Sequence, residues 1–223
     1  MQMDMFSLNA SAFFSITNMH NTIPTSSLNS SQTKQSLQSM GINTNSAQYR
    51  AATANMGKFG GLGHTTASAI RNRMSHYDAN GDFIDPISGL TGMLVTDKNR
   101  NSIRRMVNIP ENIKQEMFDL TKREFLAENG VQNGDTTKRS DVFYKMYPQI
   151  KKDDRLAAGY TLEQYESEYT QAFYDAVKAK DPNWSVGKPI NPKFLEGITR
   201  QNVEATLQKN SSGLIKVGIH KYV

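Results

Sequence analysis

The chain contains no cysteine and only one tryptophan, and nowhere do eighteen apolar residues run together. The missing cysteines exclude disulfides, thiolate metal sites and a cysteine nucleophile. They fit a cytoplasmic protein and an exported one equally, so the compartment stays open. Without a long apolar run, no segment reads as a transmembrane helix. Met1–Ile16 has no basic start and is broken by Asp4, Asn9 and several serines, so it is no conventional secretory signal. Acid is scarce at the front. Residues 1–56 hold one acidic residue, Asp4, while 28 of the 56 are Ser, Thr, Asn or Gln. So polar a segment supplies little core, and it reads as an extension that is ordered poorly or only on a partner.

Motifs for hydrolytic chemistry are also missing. There is no Gly-x-Ser-x-Gly elbow and no His-Glu-x-x-His, and the four histidines (20, 64, 76 and 220) are scattered. The glycine-rich Gly57–Thr66 stretch lacks the Gly-Lys-Ser/Thr of a P-loop, and its Lys58–Gly63 part reads as a linker. The net charge is +5, and its excess peaks at Lys98, Arg100, Arg104 and Arg105. Four cations with no aromatic residue between them suit a solvated or salt-bridged element better than a base-stacking surface, so nucleic acid is not expected as a partner.

Helical signals dominate what is present. Ser30 or Ser31 caps a short helix stopped by Gly41, and Asn43 or Thr44 caps a second ending before Gly57. Both have few apolar residues and need a partner surface. Thr65 or Thr66 opens a third, running to about Tyr77. Pro110 and Asn129-Gly130 enclose a helix over 111–128 with a wide apolar face of Ile113, Met117, Phe118, Leu120 and Phe125. Thr161 and Gln164 read as a capping box opening a helix over 161–180, with its stripe at Leu162, Tyr165, Tyr169, Phe173, Ala176 and Val177. On that helix Glu163, Glu166 and Glu168 read as the wet face. Short helices start at Pro192 and Thr199 and run to about Gln208. Leu90–Thr96 and Ser102–Ile109 read as a hairpin, with a basic helical turn at 101–108 as the alternative, and Leu214–Val223 as a strand. The chain is therefore expected to be mainly α: a polar helical extension over 1–57, then one α-rich domain over 58–223 with a small β component.

One stretch carries candidate chemistry, His76-Tyr77-Asp78-Ala79-Asn80-Gly81-Asp82-Phe83-Ile84-Asp85. Counted as a calcium loop, Asp78, Asn80, Asp82 and the Ile84 carbonyl fall at the first, third, fifth and seventh positions, with Asp85 able to reach back. The pattern lacks the sixth-position glycine, replaced by Phe83, and the twelfth-position glutamate, replaced by Gly89. The competing reading is an Asx-rich surface turn with solvated carboxylates. Ca2+ is the one cofactor the sequence suggests; the alternative is none.

Met40–Tyr49, Tyr77–Asp82 and Tyr160–Glu166 resemble an uncharacterised family of similar length from spore-forming Gram-positive bacteria, over roughly residues 36–223. The resemblance implies a bacterial accessory protein and transfers no catalytic residue or cofactor. The sequence therefore favours a non-enzymatic interaction protein that meets a protein partner through its N-terminal extension and is either cytoplasmic or exported without a conventional signal. The alternatives are a cell-wall or peptide hydrolase using acids near His76–Asp85, and a calcium module.

Overall fold

A computed structural model describes residues 22–54, 56, 63–97, 99–131, 136–209 and 213–216. The chain is α-rich with two small antiparallel pairs of strands, and it divides into two compact units, one ending at Thr91 and the other starting at Gly92. The division falls well beyond residue 57. The linker read at Lys58–Gly63 lies outside the described residues except for its last glycine, Gly63.

In the first unit, strand β1 (Ile23–Pro24) pairs with β2 (His64–Thr65), and three short helices follow the capping residues. Helix α1 spans Ser31–Ser39, and the Ser30 hydroxyl accepts from the Thr33 amide. Gly41, at φ 79°, ends it in the left-handed conformation. Helix α2 spans Ala47–Thr53; its cap is Ser46, not Asn43 or Thr44. Helix α3 spans Ala67–Met74 behind a Thr66 cap. These helices do bury themselves, contrary to the sequence reading. Leu28, Leu37, Ile42, Tyr49 and Ile70 form one core cluster, and Tyr49, Leu37 and Ile70 are at most 1% exposed. The partner surface that α1 and α2 need is α3, supplied by the same chain. Tyr49, which contributes the largest side chain, also donates its hydroxyl to the Leu28 carbonyl at 2.7 Å.

The second unit is built on helix α4 (Glu111–Ala127) packed against the long helix α6 (Arg155–Lys180), with α5 (Thr136–Met146) against α4. Phe118, Phe125, Tyr169, Phe173 and Trp184 interlock in its core at ring separations of 5.2–6.2 Å. Asn129 and Gly130 both take positive φ after α4, and the Gly130 amide reaches back to the Phe125 carbonyl at 2.8 Å. A side chain at Gly130 would meet the Trp184 ring at 2.9 Å, so close approach as well as φ requires glycine there.

Several boundaries differ from the sequence reading. Helix α6 starts at Arg155, so Thr161 is interior and fully buried instead of capping. Its hydroxyl donates to the Ala157 carbonyl at 2.8 Å and accepts from the Val107 amide at 3.1 Å. A threonine hydroxyl serves a helix interior by such back-bonding, and the capping pattern does not distinguish the two uses. Helix α5 begins four residues before Ser140, which lies inside it. The hairpin over 90–109 is absent among the described residues, where Arg100–Ser102 forms a 3-10 turn. Helix α7 is short (Arg200–Glu204), and the chain turns into strand β3 (Leu207–Lys209), which pairs with β4 (Leu214–Lys216) in the register Leu207 to Lys216.

Candidate functional site

The Asp-rich stretch folds as a tight hairpin immediately after α3. The Tyr77–Phe83 bridge closes it, with the Asp78 amide donating to the Asp82 carbonyl and the Ile84 amide to the His76 carbonyl, both at 2.9 Å. Gly81 takes φ 82° and presses against α2, where a Cβ would stand 2.8 Å from the Ala47 carbonyl oxygen. Gln48 ties the other side by donating to the Tyr77 carbonyl at 2.9 Å.

This geometry engages the candidate calcium ligands. Asp78 Oδ1 accepts from the amides of Asn80 and Asp82, each at 2.9 Å, which is an Asx turn. Asp85 Oδ2 accepts from the Ser88 amide at 2.8 Å and hydroxyl at 2.5 Å, and these bonds hold its carboxyl below the usual value. Ile84 bridges to Thr91. Among the described residues no three His, Cys, Asp or Glu side chains gather as they would around a metal ion.

What the hairpin does build is a cleft of about 430 Å3 between itself and α3. Met56, Tyr77 and Phe83 supply its apolar walls, and Arg73 and His76 its polar ones. Met56 also packs on the buried cluster, so the floor is continuous with the core. Tyr77 and Phe83 meet edge to face, with ring centroids 5.8 Å apart. Arg73 is exposed and makes no ion pair among the described residues.

The second unit gathers more ionisable groups, but they are bonded to one another. Lys114 pairs with Glu111 at 2.7 Å and Glu204 at 2.9 Å; Arg200 pairs with the same two carboxylates at 2.8 and 2.9 Å. Tyr169 donates to Glu204 at 2.5 Å, and burial raises its hydroxyl far above the ordinary tyrosine range. Desolvation pulls the Lys114 ammonium down, but its bonds to Glu111 and Glu204 outweigh that and leave it raised. The ring therefore holds two cations and two anions, and it ties α7 to α4 and α6.

A second knot is not balanced. Arg139 on α5 meets Glu124 of α4 through Nε and Glu166 of α6 through Nη1, each at 3.0 Å. The Glu166 contact is one of charge without hydrogen-bond geometry, and Glu124 Oε1 has no hydrogen-bond partner among the described residues. Burial raises the Glu166 carboxyl, against the pull of Arg139 and with the push of Glu163 and Glu124. The wet face read from sequence thus holds only for Glu163: Glu166 and Glu168 are half-buried.

Sequence reasoning missed Lys114, Glu124, Arg139, Arg200 and Glu204. A signal existed for Glu124, since Ile113, Met117, Leu120, Thr121, Glu124 and Phe125 follow one helical stripe and the acid interrupts it. Nothing local marks Arg200. Tyr165, Tyr169 and Trp184 are buried in the core and line no groove. In the basic run, Arg100 pairs with Asp97 and Arg105 with Asp154, while Lys98 lies outside the described residues.

The architecture is that of a cysteine-free helical protein whose buried charges hold its own bundle together. The chain belongs to the DUF3879 family, described as a domain of unknown function, which matches residues 42–220 and so runs through both units. No curated protein and no solved structure matches it.

Proposed function

We propose that this chain is a non-enzymatic bacterial interaction protein whose N-terminal unit carries the partner-binding face at the cleft between α3 and the 77–83 hairpin. One contrast carries the reading. In the second unit the buried Lys114 and Arg200 and the half-buried Arg139 are all ion-paired inside the fold, whereas Arg73 stands exposed beside an apolar cleft with no ion pair among the described residues. A site of this kind, apolar floor with a few polar groups at its rim, suits recognition of another molecule. The sequence resemblance to proteins of spore-forming Gram-positive bacteria supports an accessory role, and the acid-poor front segment is compatible with export as well as with the cytoplasm. A photo-crosslinking amino acid at Asn72, which lines the cleft, tests the reading in the native cell. A discrete covalent adduct with a second protein is expected from Asn72, and none from the exposed Gln201 of α7. No adduct from Asn72, or the same adduct from both positions, overturns it.

A further inference from the structure

We infer that the segment seated in this cleft is an acidic peptide of the partner protein, with an aliphatic or aromatic side chain entering between Met56, Tyr77 and Phe83 and carboxylates meeting Arg73. The inference rests on the interaction reading above and adds the chemistry of the occupant.

Charge complementarity carries it. Residues 5–77 contain five Lys or Arg and no Asp or Glu, so every element up to the hairpin is neutral or cationic. Arg73 lines the cleft, is exposed, and meets no carboxylate among the described residues; the exposed imidazole of His76 lies on the same lining. The acids that follow in sequence do not neutralise this rim. Asp78 and Asp85 turn their carboxylates onto amides of their own turns, and neither they nor Asp82 line the cleft. An unpaired guanidinium is a fork for a carboxylate, the most planar and bidentate of its protein partners.

The walls specify the rest. Met56 is an adaptable, polarisable surface, and Tyr77 and Phe83 present ring faces and edges. The volume of about 430 Å3 lies at the lower end of ligand-pocket sizes and suits one or two peptide side chains rather than a folded domain edge. Nucleic acid fits less well, because its affinity scales with the number of phosphates neutralised and this cleft offers one arginine.

The test uses the full chain and a panel of fluorescein-labelled 12-residue peptides. Each has a central Leu, Phe or Tyr flanked by four Asp/Glu, four Lys/Arg or four Ser, and binding is read by anisotropy. The acidic set is expected to bind saturably and at least tenfold more tightly than the serine set, with affinity falling as salt rises. Arg73→Glu weakens the acidic set at least tenfold and transfers preference to the basic set, a gain that misfolding does not mimic. Ala69→Trp, an exposed position lining the same cleft, blocks all binding while the melting temperature holds. Equal binding of acidic and basic sets, insensitivity to both substitutions, or binding only to a single-stranded oligonucleotide added as a control overturns the inference. If the Asn72 adduct forms while the acidic preference is absent, the interaction reading stands and this one falls.

Discussion

At the scale of single residues, two positions carry the sharpest consequences. Gly81 combines φ 82° with an approach that would bring a Cβ within 2.8 Å of the Ala47 carbonyl oxygen. Gly81→Ala should therefore destabilise the first unit by about 1–3 kcal/mol or more, since non-glycine residues in the left-handed region carry that strain before any clash. Chemical denaturation followed by the tyrosine signal reads this directly, and an unchanged midpoint would contradict the packing of the hairpin on α2. Glu166 gives a pH dependence whose sign is fixed. Burial raises its folded-state carboxyl, so the folded protein holds that proton more readily than the unfolded chain. Its stabilising contribution is complete below the ordinary glutamate value of about 4.3 and is lost as pH rises through the raised value. Glu166→Gln keeps the shape without the charge, so its melting temperature should exceed the parent's at about pH 8, with the gap closing towards about pH 4.5. A gap of equal size at both ends would show that Glu166 is not the group responsible.

At the scale of elements, the caps at Ser30 and Thr66 were legible, whereas the cap at Ser46 and the interior place of Thr161 were not. Ser30, Ser46 and Thr66 each hold a helix amide from just outside the helix. Thr161 has the same side chain and the same spacing to Gln164, but the preceding Arg155–Tyr160 run also favours helix, so α6 extends backward and the hydroxyl turns to the Ala157 carbonyl. The first unit shows a second limit. Its helices show few apolar residues in sequence, yet the Tyr49 ring is 1% exposed and its hydroxyl closes onto the Leu28 carbonyl. Tyr49→Phe removes that donor and leaves a buried carbonyl unsatisfied, a loss of about 1–3 kcal/mol. Hydrogen exchange of the α1 and α2 amides should accelerate accordingly; protection equal to the parent's would mean that water replaces the bond freely.

At the scale of the whole molecule, two units imply two cooperative blocks. Leu37→Ala opens a cavity in the small core of the first unit and should cost about 2–5 kcal/mol there. Exchange of α1–α3 amides is expected to rise while α4 and α6 keep their protection, and a uniform rise along the chain would refute separate blocks. The same measurement addresses calcium. With Asp78 and Asp85 already bonded to their own turns, millimolar calcium is expected to leave the melting temperature and the exchange of residues 76–91 unchanged. A calcium-dependent rise of several degrees would instead show that the turns open to release those carboxylates.

The sequence alone determined what depends on neighbours along the chain. Helix periodicity, the left-handed stops at Gly41 and Gly130, the Asx turn at Asp78 and the absence of cysteine chemistry are all local, and each is readable within a few residues. Only the tertiary structure decided which polar groups leave water. Arg139 stands between Glu124 and Glu166, and Arg200 between Glu111 and Glu204, because three helices converge on them. Within the first unit, packing on Ile70 of α3 gives the weakly apolar helices α1 and α2 a core of their own. Burial and ion pairing depend on residues 15 to 90 positions away, and a linear pattern does not encode which of those distances the fold closes.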